Sequence, residues 1–294
     1  MRKMIRVGIV IPTYNRLCAL KRCLSSLSWC EHRDEAVVVV VDSGSTDGTE
    51  EYLRHAPDWV IHVPGSSEMW WTACVESGAR VAGSLGATHV MTLNDDCTLN
   101  EESFDACLGV LADGRKVCVC PRVVEMTSGE TIAQGGRIEW TGRLALINGR
   151  ESGLVAPEAR NVDWCGGIGF AFPLSAWLEV SGYDCEAFPH YYGDADFSIR
   201  VRRAGYRLVY CAEFIVPNDK ATTATSVPKH GARLWHLREA LTSRRSWANL
   251  ADTYRFYRKH AGTKLPLAML AVYVPYLMSA TKRIALSSLP GRRT

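Results

Sequence analysis

Two segments near the start of the chain are almost uninterrupted apolar, β-branched runs, 5–11 (IRVGIVI) and 36–41 (AVVVVV). A half-exposed strand alternates apolar and polar residues, so continuous runs of this length predict parallel strands buried on both faces. Between them Leu17, Leu20, Leu24 and Leu27 recur at helical spacing. The opening therefore reads strand, helix, strand, a βαβ unit. The alternation continues with a helix near 49–55, a strand at 59–63, a helix at 70–85 carrying Ala73, Val75, Ala79 and Ala82, and a strand at 88–93. A helix at 102–112 and a strand at 116–120 follow, whereas 121–163 mixes Gly, Arg and Thr and reads only as hairpin-like. Beyond a second block of motifs at 163–210, residues 231–260 have the periodicity of one or two amphipathic helices. The predicted fold class is α/β, a Rossmann-like, mostly parallel central sheet flanked by helices, with a C-terminal helical extension.

Charge divides the chain where the pattern does. Residues 229–294 carry 13 Lys and Arg against two acids, while the first 228 hold 21 bases and 29 acids. We expect a body at 1–228 and a basic, amphipathic helical region at 229–294. A mildly acidic body disfavours nucleic acid as a partner, and a basic end points to an anionic membrane surface. The uncharged stretch 265–281 (LPLAMLAVYVPYLMSAT) lies between Lys264 and the pair Lys282 and Arg283. Pro266 and Pro275 interrupt it, so an interfacial helix or hairpin is expected, with a buried core helix as the alternative. Eleven cysteines include no C-x-x-C pair, which excludes a zinc ribbon or thioredoxin-type site and predicts reduced, buried thiols. The apolar run before Pro12 is too short for a signal-peptide core, so a cytoplasmic location is expected.

Three clusters carry candidate chemistry. Asp42 closes the second strand and is followed by Ser43, Gly44, Ser45, Thr46, Asp47 and Gly48. A carboxylate there can accept from a base N–H or a ribose hydroxyl, and the small residues let a nucleotide lie near the backbone; the alternative is an Asp-Gly turn with Asp47 capping the next helix. Asn94, Asp95 and Asp96 supply adjacent hard oxygens beyond a strand's carboxyl end, where open α/β sheets bind ligands. They suit a Mg2+ or Mn2+ bridging a diphosphate, or else form a solvated loop before a helix cap at Asn100. Asp194 and Asp196 lie in the first turn of a helix, where the dipole favours negative charge; a general base is one reading, and an i,i+4 pair of Asp196 with Arg200 is the other. Trp70 and Trp71 suit either stacking on a sugar or ordinary packing.

The segments IPTYNR (11–16), VVDSGSTDGT (40–49), MWWTACVESGARVA (69–82), LNDD (93–96), WCGGIGFAF (164–172), SGYD (181–184) and YYGDADFSIRVRRAGY (191–206) together resemble family 2 glycosyltransferases in order and spacing. Within that family the chain looks most like bacterial rhamnosyltransferase-type members of cell-surface polysaccharide assembly. The resemblance implies a GT-A fold, a UDP- or dTDP-sugar donor such as dTDP-rhamnose, a glycan or lipid-linked glycan acceptor, and inversion at the anomeric carbon. It implies that Pro12, Thr13, Tyr14 and Arg16 line the nucleotide pocket, that Asp42 contacts the base, and that Asp95 and Asp96 hold ribose and metal, Asp96 being the metal ligand. Trp70 and Trp71 would shape the diphosphate and sugar end, Gly166 and Gly167 would lie beneath donor sugar or acceptor, and Asp194 would be the base. Two positions depart from the family pattern. Gly193 stands where a Glu usually precedes the base, leaving Asp196 to replace it, and Val216-Pro217-Asn218-Asp219 stands where a metal-binding His is common, the next histidines being His230 and His236. A non-catalytic nucleotide-sugar or glycan-binding module with a degenerate GT-A fold is the competing reading, and a nucleotidyltransferase is disfavoured by the absence of a Gly-rich signature with Lys or Arg.

Overall fold

The computed structural model describes residues 5–147, 160–219, 227–228 and 231–288. Strands β1 (Val7–Thr13) and β2 (Ala36–Asp42) are buried along their whole lengths and pair in parallel, Val7 opposite Ala36 and Thr13 opposite Asp42. Strand β3 (Val60–Pro64) pairs in parallel with β2, and β4 (His89–Thr92) does so with β1. This register brings Thr13, Asp42 and the residues following Thr92 to one carboxyl edge of the sheet, the usual ligand edge of an open α/β sheet.

The connections are α1 (Leu17–Ser26), α2 (Thr49–Arg54) and α3 (Trp71–Ser84). A Cβ on Gly78 would overlap Val10 and one on Gly8 would overlap Ala82, so α3 approaches β1 more closely than larger residues permit. Helix α4 (Glu101–Leu111) begins at Asn100, whose side chain accepts from the Ser103 N–H at 3.0 Å, as expected of a cap.

Next come β5 (Val117–Glu125), β6 (Thr131–Ala133), β7 (Gly136–Ile138), β8 (Leu144–Leu146), β9 (Arg160–Asn161), β10 (Ala171–Pro173), α5 (Leu174–Glu179), α6 (Gly193–Arg203) and β11 (Arg207–Asn218). The main sheet runs β3-β2-β1-β4-β10-β5-β11-β9, with β6 beside β5. Strand β10 is antiparallel to both β4 and β5, and β9 to β11, so the sheet is mixed though mostly parallel. Strand β5 is longer than the 116–120 run suggested, because it continues through Pro121. Proline has no N–H for the ladder, and at that point the β5–β11 register jumps from Cys120 opposite Tyr210 to Arg122 opposite Ile215. The two faces of β1 and β2 feed separate cores: Val7, Ile9, Val38 and Val40 on one side, Val10, Val39 and Val41 on the other. All eleven cysteines are free thiols and nine are buried, the role of small hydrophobes that the sequence suggested.

The chain forms two compact units. The first, Met1–Arg137, Leu146–Pro189 and Gly193–Lys220, contains the main sheet. The second, Ile138–Ala145, His190–Tyr192 and Ala221–Thr294, contains α7 (Leu234–Thr242), α8 (Leu250–His260) and α9 (Leu265–Ser288). A hairpin over 265–281 is not what forms. Pro266 falls in the first turn, where an amide hydrogen has no helical partner to lose, and α9 runs on through Pro275 as one helix. Nor is it a core helix: Leu267, Leu270, Val274, Leu277 and Met278 along it are exposed.

Candidate functional site

Within the first unit the loop after β1 and the loop after β2 clasp each other. Asn15, at φ 52°, accepts the Thr46 N–H on Oδ1 at 2.6 Å and donates its own N–H to Ser45 Oγ at 2.8 Å. The left-handed backbone at Asn15 turns the chain sharply after Tyr14, which is 40% exposed. Asp42 is buried, and its Oδ1 accepts from the Ser45 N–H at 3.0 Å and the Ser45 hydroxyl at 2.5 Å, while Oδ2 takes no hydrogen bond among the described residues. Asp47 does cap locally, accepting from the Thr49 N–H at 3.2 Å and from the Leu17 N–H at 2.9 Å. Burial works against its charge, but those bonds outweigh burial and hold its carboxyl below the ordinary value.

Asp95 and Asp96 stand beside this cradle, both almost fully buried. Thr13 donates its hydroxyl to Asp95 Oδ2 at 2.9 Å, and Arg16 spans the pair, Nε 3.3 Å from Asp95 and Nη2 2.9 Å from Asp96. Thus Thr13 and Arg16 meet the acidic pair directly, while Pro12 lies in the buried strand below. Burial pushes the Asp95 carboxyl up to about 6; Arg16 opposes this and the neighbouring Asp96 charge adds to it. Arg16 is in direct contact with both carboxylates, and the more distant Arg22 also favours the Asp95 charge. Among the described residues no group of three or more His, Cys, Asp and Glu gathers into a metal cluster. Mg2+ and Mn2+ do not require one, since one or two carboxylates plus substrate phosphates commonly complete their shell. The Asp95–Asp96 pair fits such an ion in charge and ligand type. Asn218, at the end of β11, donates to Asp96 Oδ1 at 2.8 Å, so the position without a histidine still touches the acidic pair. His236 instead accepts the Arg233 N–H at the start of α7 in the second unit, and His230 lies outside the described residues.

Trp71 links the acidic loop to the predicted base. Its Nε1 donates to Asn94 Oδ1 at 2.9 Å, and the Cζ2–Cη2 edge of its ring abuts Gly167, where a Cβ would be 2.5 Å from Cη2. Gly167 is itself pinned: its carbonyl accepts the Thr92 hydroxyl at 2.7 Å and its N–H donates to Asp194 Oδ2 at 2.8 Å. Gly166 has more room, with only Asp194 Oδ2 near its missing Cβ, at 3.6 Å. Asp194 opens α6 and also accepts the Ala195 N–H at 2.8 Å. Its burial raises the carboxyl pKa, and the two N–H donors oppose the rise. Trp70 is the half-buried residue before α3.

Asp196 is engaged in an ion pair within its own helix. It is fully buried and receives Arg200 Nε at 2.7 Å, and the other two Arg200 nitrogens hold the Val180 and Gly182 carbonyls at 2.6 and 2.8 Å. Of the two roles read for Asp196, the i,i+4 pair is the one formed. Gly193 has a packing reason: a Cβ there would overlap Thr72 Oγ1, a buried hydroxyl with no hydrogen-bond partner among the described residues. Asn94 belongs to the polar run already singled out in the sequence, whereas Thr72 and Thr92 are site residues that sequence reasoning missed. The signal available for Thr92 was a hydroxyl set between Met91 and Leu93, next to the acidic loop.

Residues 8–162 match the family model described as Glycosyl transferase family 2, and residues 89–290 match Glycosyl transferase family group 2. Similar curated proteins include the pre-mycofactocin glycosyltransferases of Mycobacterium tuberculosis strains CDC 1551 / Oshkosh and ATCC 25618 / H37Rv. Each is 28% identical over 222 residues, 74% of this chain and 43% of the relative. The chain therefore spans less than half the length of those relatives. Among solved structures, the mannosyltransferase PcManGT from Pyrobaculum calidifontis, in complex with GDP-Man and Mn2+, superposes with a TM-score of 0.61 at 19% identity, over 99% of this chain and 77% of that one. GalNAc-T7 with UDP, GalNAc and Mn2+ gives 0.60 at 15% identity, over 95% and 55%. At these identities the likeness is one of fold.

Proposed function

The chain belongs to glycosyl transferase family 2 and has the GT-A fold, and from that premise we propose that it is an inverting, divalent-metal-dependent enzyme with Asp194 as its general base. The donor in this reading is a UDP- or dTDP-sugar, possible members including dTDP-rhamnose, and the acceptor is a hydroxyl of a lipid-linked glycan at the cytoplasmic face of a membrane. Residues 1–228 are the catalytic body and 229–294 the membrane-facing region.

One observation carries the proposal. A half-buried carboxylate of raised pKa, Asp194, is held by a backbone N–H of Gly167, and Gly167 packs on Trp71, which is bonded to the loop bearing Asp95 and Asp96. Proton acceptor and diphosphate end thus share one braced network in the first unit. Braced geometry is what general-base catalysis requires, and a base nearer neutrality than an ordinary carboxyl is a better acceptor at working pH.

In the proposed reaction the Asp42 Oδ2 accepts from the nucleotide base, and the clasp of Asn15, Ser45 and Thr46 shapes the pocket around it. Asp194 takes the proton of the acceptor hydroxyl as that oxygen attacks the anomeric carbon. Attack comes from the face opposite the diphosphate, the bond from anomeric carbon to diphosphate oxygen breaks, and its electron pair leaves with the nucleoside diphosphate. A divalent cation held by Asp96, with Asp95 alongside, would stabilise that leaving charge. Arg16 keeps the two carboxylates together. Asp196 positions α6 through Arg200.

A melting panel of UDP, dTDP, GDP and CMP, each with and without Mn2+, tests the donor class, because a ligand selective for the native state must raise the melting temperature. One nucleoside diphosphate should stabilise the protein, and more so with Mn2+. A panel with no shift, or with shifts indifferent to metal, would remove the donor and metal assignments.

A further inference from the structure

We propose that α9 lies in the plane of an anionic lipid bilayer, with its outer stripe in the headgroup and acyl boundary. This rests on the reading of a membrane-held acceptor and says how the second unit meets that membrane.

The helix has two unlike long sides. Ala268, Val272 and Ala280 are buried at four- and eight-residue steps, and Tyr276 and Ile284 on the same stripe pack on a cluster of Val227, Ala232 and Ala240. Hydrogen bonds fix this side. Tyr273 Oη donates to the Ala248 carbonyl at 3.0 Å, Arg283 Nη1 to the Val227 carbonyl at 2.7 Å, and the Ala232 N–H to Ser287 Oγ at 3.0 Å. The other side exposes Leu267, Leu270, Val274, Leu277 and Met278, at steps of three, four, three and one, with Met278 68% exposed. Such a stripe on a monomer surface marks an interaction site.

Charge selects the occupant. The region 229–294 holds 13 cations against two acids, and one of those acids, Asp252, is already paired with Arg255 at 2.9 Å. A second copy of the chain would bring like charge to the same face. An anionic headgroup layer supplies the opposite charge and an apolar interior together, and helices of this kind settle at that boundary. The same unit also exposes Trp235, Trp247 and Tyr254, residue types that favour the membrane interface.

Crossing the bilayer is disfavoured although the helix, about 36 Å long, has the reach. Its inner stripe is bonded to segments around α7 and α8, a stretch that carries Arg233, Arg238, Arg244, Arg245, Arg255 and Arg258, and insertion would either break those bonds or carry arginines into hydrocarbon.

The test is flotation of the full chain with vesicles of phosphatidylcholine alone or mixed with phosphatidylglycerol, followed by an alkaline carbonate wash. Wild type should float with the anionic vesicles only and be released completely by carbonate. The double variant Leu270→Glu, Met278→Glu changes exposed side chains and should melt like wild type, yet its vesicle-bound fraction should fall about tenfold or more. Unchanged flotation of that variant, carbonate-resistant protein, or no flotation by wild type would each overturn the proposal. Nucleoside diphosphate stabilisation is measured on the same samples. Its retention alongside failed flotation removes the membrane inference alone, and its absence removes the donor reading.

Discussion

Adding a single methyl group at Gly167 should damage both stability and turnover. A Cβ at this position would stand 2.5 Å from Trp71 Cη2 and closer still to Cζ2, about 1 Å short of ordinary contact. Neither side is free to yield. Trp71 is tied to Asn94 at 2.9 Å, and Gly167 is tied to Thr92 at 2.7 Å and to Asp194 at 2.8 Å. Overpacking of a fixed contact costs about 1–3 kcal/mol, so Gly167→Ala should lower the melting temperature by about 2–12 °C. Relief of the clash moves Gly167 and with it the N–H that holds Asp194, and a displacement of about 1 Å at a catalytic group costs about a hundredfold in rate. The paired control is Gly109→Ala in α4, where a Cβ meets nothing within 4 Å and the exchange should stabilise by about 0.5–1 kcal/mol. Scanning calorimetry and donor-saturated turnover on the two variants decide the matter. If Gly167→Ala melts and turns over like wild type, the brace from Asn94 through Trp71 to Asp194 does not exist.

Two other outcomes follow from buried charge. Arg200→Met removes the guanidinium that meets the fully buried Asp196 and two carbonyls, and should cost about 3–5 kcal/mol in urea unfolding, with Asp196→Leu added in the same chain recovering part of it. His89 is held neutral by burial, its pKa lowered from 6.5 to about 4. Between those values the unfolded chain binds a proton that the folded chain refuses, so stability is full above pH 6.5 and is lost as pH falls towards 4. The slope of melting temperature against pH in that window should be shallower for His89→Gln, and an unchanged slope would exclude this histidine as its source.

The strands were legible because burial on both faces writes itself as β-branched runs, and β1 and β2 fall within a residue or two of where those runs predict them. The cap at Asn100 was legible for a similar reason, local chemistry with a local consequence. What the sequence hid is non-local. Nothing near Gly193 announces that Thr72, more than a hundred residues earlier, fills the space of a side chain there, or that Gly167 is required by a tryptophan ring. Asp196 carried two readings of similar sequence support, and only the closure of Arg200 over the Val180 and Gly182 carbonyls separates them. The register jump in β5 was foreshadowed by Pro121, but its place opposite Tyr210 and Ile215 depends on which strand becomes the neighbour.

The central claim is that Asp194 moves the acceptor proton and does not hold the donor. Calorimetric titration of Asp194→Asn with the nucleoside diphosphate that stabilises wild type, run beside a turnover assay, addresses it directly. Donor-side affinity should stay within about threefold of wild type while turnover falls by about 10²–10⁴-fold. Affinity lost in step with turnover, or turnover retained, would contradict it.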